Sequence, residues 1–166
     1  MSSCSTSQVE YKWSAVTYMY ESGPLPPKYQ YHYTITINNN CDGGVVCFIG
    51  IDDSTPSLTY DFKVSKDSLD LLNEAIYKCK ILEEDIESFP EGKHPIGGHL
   101  EKVRVILVND NPNLDQPPRV KESPYFPADK YKEDFQNLYE TIKGIVPTRI
   151  WDDIEAKKQE YQKSKE

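Results

Sequence analysis

The sequence predicts an α+β domain, with a mostly antiparallel sheet of about five strands and three helices packed on one face, in the order β-β-β-β-α-β-α-α. Three observations predict it. Residues 29–64 alternate apolar and polar side chains with period two, in runs divided by turn residues. Later stretches carry apolar residues at spacings of three and four. The strands cluster early in the chain and the helices late, which favours layers over alternating βαβ units.

Each element follows from local chemistry. Residues 9–20 are rich in β-branched and aromatic side chains and are read as a first strand, although their alternation is imperfect. Gly23-Pro24-Leu25-Pro26-Pro27 ends it, because three prolines remove backbone donors and stiffen the connection. A stiff linker outweighs an SH3-binding motif here, since Lys28 falls one place early for PxxPx(K/R). In 29–37, Tyr31, Tyr33, Ile35 and Ile37 share one face, with His32, Thr34 and Thr36 on the other. Asp42-Gly43 then reads as a hairpin turn, 45–51 as the return strand and 52–57 as a second turn. Leu58, Tyr60, Phe62 and Val64 alternate along the next strand, which completes an antiparallel meander.

Ser65 offers an N-cap to a helix running to about Leu82 that buries Leu69, Leu72, Ile76 and Cys79. Residues 102–108 form another strand, apolar on both faces and therefore expected to be more central than its neighbours. Pro127 opens a helix with the stripe Tyr131, Phe135, Leu138, Ile142 and Ile145, and Pro147 closes it. Thr148 caps a last helix that turns Ile150, Trp151, Ile154 and Tyr161 inward. Residues 1–8 and 163–166 are expected to fray.

Composition narrows the class. A chain of 166 residues, 37% apolar and 28% charged, is globular and of single-domain size. The net charge of −8, with no stripe of Lys or Arg, argues against nucleic acid as a partner. No apolar run approaches the roughly 20 residues that span a bilayer, which argues against a membrane. Residues 1–8 show neither a basic nor an apolar leader region, so reduced thiols and a cytoplasmic location are expected. The four cysteines form no CxxC pair. Cys47 and Cys79 read as small core hydrophobes, Cys41 as a turn thiol without a role, and Cys4 as an exposed one.

Two long connections, 83–101 and 109–126, are where function is expected. They leave opposite ends of one seven-residue strand about 20 Å long and are not expected to build one small site. The first carries His94 and His99. A right-handed crossover returning this loop to Asp52 and Asp53 would gather two imidazoles and two carboxylates as a metal site. Exposed histidines on a Gly/Pro loop are the preferred reading, so no metal and no cofactor are assigned. The second connection carries Arg119, Tyr125 and Phe126, residue types that anchor protein interfaces. Tyr125 and Phe126 pinning the loop to the core is the simpler account.

No catalytic constellation emerges. The leading expectation is a non-catalytic, acidic protein-binding domain of inhibitor, immunity or adaptor type, with a protein as partner. The alternatives are a small enzyme or metal-binding protein using the His94/His99 loop, and a small-molecule-binding module with a pocket between sheet and helices.

Overall fold

The computed structural model describes residues 10–51, 57–110 and 115–166. Six strands form one antiparallel sheet: β1 (Trp13–Glu21), β2 (Tyr31–Asn38), β3 (Asp42–Ile49), β4 (Leu58–Lys63), β5 (Leu100–Leu107) and β6 (Val120–Glu122). Their spatial order is β4-β3-β2-β1-β5-β6. Helices α1 (Lys66–Lys78), α2 (Lys132–Ile145) and α3 (Thr148–Ser164) complete an α+β fold.

Register explains the core. Phe62, Gly43, Ile37, Val16 and Val105 form one row across the sheet, and Tyr60, Val45, Ile35, Tyr18 and Val103 the next. These inward residues merge with Leu69, Leu72 and Ile76 of α1, Phe135, Leu138 and Ile142 of α2, and Ile150 and Ile154 of α3 into one buried cluster. Polar links tie the layers: Trp13 Nε1 donates to Asn73 Oδ1 of α1 at 2.9 Å, and Tyr60 Oη to Asp153 Oδ2 of α3 at 2.7 Å. No helix among the described residues is long and apolar enough to cross a membrane.

The sheet has six strands rather than five. The additional one, β6, spans only three residues inside the proline-rich second connection, too short to show a period. Its place is decided by β5, where Lys102 and Arg104 both reach Glu122 at 2.7 Å. The centre of the sheet goes to β1 rather than β5, which is penultimate. The imperfect alternation of β1 comes from an irregularity between Trp13 and Ala15 that buries both, along with Val16.

Other boundaries shift for identifiable reasons. The β2–β3 turn falls at residues 39–41, with Cys41 at φ 71°, while Asp42 and Gly43 already pair with Lys63 and Phe62. Gly43 serves packing instead of the turn: a Cβ there would lie 2.4 Å from Phe62 Cε2. Ser65 caps α1 as expected, its Oγ accepting from Ser68 N at 3.1 Å. The helix stops at Lys78 because Lys80 turns left-handed at φ 61°. Residues 129–131 form a 3₁₀ turn before α2, and Pro147 rather than Thr148 holds the cap position of α3.

Cys47 and Cys79 are fully buried, and burial pushes each thiol up to about 11. Cys41 is partly exposed. Alkylation of the folded protein at about pH 8 is therefore expected to modify Cys41 at least ~100-fold faster than Cys47 or Cys79. Peptide mapping that finds Cys47 modified as fast as Cys41 would contradict this burial.

Candidate functional site

The two long connections meet at one end of the sheet. Strand β6 runs back along β5, so the second connection returns to the Leu100 end that the first one enters. There Phe89 N donates to Phe126 O at 2.7 Å and Ala128 N to Glu87 O at 2.8 Å. Ser88 and Pro127 form an antiparallel bridge between the same segments. The expected separation of about 20 Å fails because the connection contains a strand that reverses its course.

Between these segments and α2 lies a cleft of about 260 Å³. Phe89, Pro95, Tyr125, Phe126, Phe135 and Tyr139 form its walls, and Lys93, Asp129 and Lys132 are exposed around it. Glu101 also lines it. By register Glu101 lies opposite Tyr20 and in phase with Val103, Val105 and Leu107. It is the one carboxylate on the inner face of the six strands.

A carboxylate 11% exposed needs donors, since burying an unpaired ion costs several kcal/mol. Tyr18 Oη, itself fully buried, donates to Glu101 Oε1 at 2.6 Å. His99 Nε2 lies 3.1 Å from Oε2, and Lys143 Nζ lies 3.8 Å from Oε1. Burial first, and then the bond to Glu101, pushes the Tyr18 phenol far above its ordinary range. Burial also raises Tyr139, whose ring centroid is 5.3 Å from that of Tyr18. Tyr20 stacks between Tyr33 at 4.8 Å and His99 at 5.3 Å, so the carboxylate is backed by an aromatic layer.

Glycine sets the approach of the 93–99 loop. At Gly23, φ is +79° and a Cβ would fall 1.9 Å from Gly98 O, so only glycine lets the two backbones touch. This contact seats the segment that ends in His99.

The residues singled out in the sequence divide accordingly. Tyr125 and Phe126 line the cleft; Tyr125 is 43% exposed, with Lys102 Nζ 4.9 Å from its ring centroid, and Phe126 is half-buried. His94 Nε2 donates to Phe89 O at 2.9 Å and its ring lies 4.9 Å from Phe126. His99 turns to Glu101, so the two imidazoles have different partners. Asp52 and Asp53 lie outside the described residues. Strands β4 and β5 point the same way but stand four strand spacings apart, roughly 19 Å. Among the described residues no group of three or more His, Cys, Asp or Glu is arranged to hold a metal ion. Arg119 sits at the other end of β6, its carbonyl accepting from Leu107 N at 2.9 Å, away from Tyr125 and Phe126. Glu101, Tyr18 and Tyr139 escaped the sequence reading. The signal for Glu101 was its phase with Val103, Val105 and Leu107, hidden by starting the strand at 102 instead of 100.

Tyr18→Phe is expected to cost about 1–3 kcal/mol of stability in urea denaturation, because a buried carboxylate loses a donor. The loss should shrink in a Glu101→Leu background. Equal losses in both backgrounds would show that the hydrogen bond is not the cause.

No protein-family model matches the chain, and a search of curated proteins finds no similar sequence.

Proposed function

We propose that the chain is a non-catalytic binding domain for another protein, of inhibitor, immunity or adaptor type, and that the partner docks over the aromatic cleft at the Leu100 end of the sheet. The supporting observation is the state of Tyr125. A half-exposed aromatic stands beside a concave, apolar wall, on a segment held by backbone hydrogen bonds to the 87–89 segment. Such a side chain loses little further freedom on binding, the property that lets aromatic anchors dominate interfaces.

A small-molecule module is the second reading, favoured by the buried Glu101 where sheet and α2 meet. The cleft volume of about 260 Å³ falls below the ~300–1,000 Å³ usual for ligand pockets and suits a single inserted side chain. Use of the His94/His99 loop for metal or catalysis has less support, because the two rings face different partners. The proposal includes a cytoplasmic setting, supported by the free thiols of Cys41, Cys47 and Cys79. The net charge of −8 favours a protein partner over nucleic acid.

Affinity capture from the native cell extract, followed by titration of the captured protein, tests this. Tyr125→Ala or Phe126→Ala should weaken binding by about tenfold or more, and Arg119→Ala by less than about twofold. A partner indifferent to Tyr125→Ala removes the cleft from the interface.

A further inference from the structure

We infer that the cleft receives one basic side chain, lysine or arginine, from the partner, with Glu101 as its acceptor; this rests on the protein-docking reading above. Glu101 has unused capacity. A carboxylate offers about four acceptor positions. Tyr18 and His99 occupy two of them. Lys143 pairs with Glu101 through charge alone: at 3.8 Å it is beyond hydrogen-bonding distance and takes up no acceptor position, while it donates to Glu140 Oε1 at 2.8 Å. Positions on a mostly buried anion thus remain available from the cleft it lines.

The walls suit the same ligand. Phe89, Tyr125 and Phe126, the partly exposed aromatics of the lining, offer rings that attract a cation electrostatically and apolar surface that covers a methylene stem. A volume of about 260 Å³ admits one extended side chain and no backbone. At longer range, the net charge of −8 draws a basic partner toward the surface.

Lys93 and Lys132 oppose a cation, and their placement defines which basic residue enters. Both are exposed and in contact with solvent, so screening weakens them where it does not weaken Glu101. They repel a run of basic residues lying across the cleft. A single lysine or arginine flanked by neutral or acidic neighbours escapes that repulsion, because its charged tip passes beyond them to Glu101. The cleft therefore selects an isolated basic residue over a polybasic segment.

The probes are N-acetyl-lysine methylamide and N-acetyl-arginine methylamide, against the neutral analogues built on norleucine and citrulline. Titration into the isotope-labelled full chain, followed by NMR, should give saturable shifts at Glu101, Phe126 and Tyr139. Each basic probe should bind about tenfold or more tightly than its analogue. Glu101→Gln should abolish that preference and leave the neutral analogues unchanged. Lys132→Glu, an exposed substitution that spares the core, should tighten the basic probes about threefold at low salt. Equal binding of basic and neutral probes overturns the inference, as does a preference that survives Glu101→Gln, or an absence of saturable shifts. None of these outcomes decides whether a partner docks here, which Tyr125→Ala on the captured protein reads independently.

Discussion

The molecule depends on the double pairing of β1. One edge of this strand bonds to β2 and the other to β5, so it alone joins the β2–β4 meander to the half of the sheet that carries the cleft. Beyond the irregularity at Trp13–Ala15 its side chains alternate, so its register fixes the inward rows of Val16, Tyr18 and Tyr20 together. Tyr18 faces Ile35 and Val103, and Tyr20 faces Tyr33 and Glu101. A slip of one residue would turn Tyr18 outward and leave Glu101 without its buried donor. Register and the site's electrostatics are thus one constraint.

Tyrosine and carboxylate pair repeatedly in this acidic chain of twelve tyrosines. Among the described residues four phenols donate to carboxylates: Tyr11 to Asp70, Tyr18 to Glu101, Tyr60 to Asp153 and Tyr131 to Glu84. Each phenol gives an anion a neutral donor while its ring packs on the core, buried at Tyr18 and Tyr131 and partly buried at Tyr11 and Tyr60. The pairs join β4 to α3, β1 to β5, and the segment before β1 to α1. Acidic residues so placed act as fasteners between layers as well as surface charge.

Legibility followed the length of each pattern. In β2, Tyr31, Tyr33, Ile35 and Ile37 repeat often enough for the period to name the strand and its inner face. The stripe Phe135, Leu138 and Ile142 does the same for α2. β6 was invisible because three residues carry no period, and its partner β5 lies in a distant part of the sequence. That omission hid the cleft, since without a returning strand the two connections end at opposite poles. Nothing in the sequence around Phe126 tells that its carbonyl meets Phe89.

Acting alone, the amino-acid sequence determined the elements whose chemistry is local: the period-two strands, the helical stripes, the Ser65 cap, the proline stops and the cysteines buried on their apolar faces. The tertiary structure decided which strands neighbour one another, that Gly43 lies beneath Phe62 and Gly23 against Gly98, and that Glu101 points inward beside Tyr18 and His99. The physical reason is range. Side-chain periodicity and capping are settled within one or two turns of chain. A buried carboxylate and its phenol donor are instead brought together by sheet register from residues 83 positions apart.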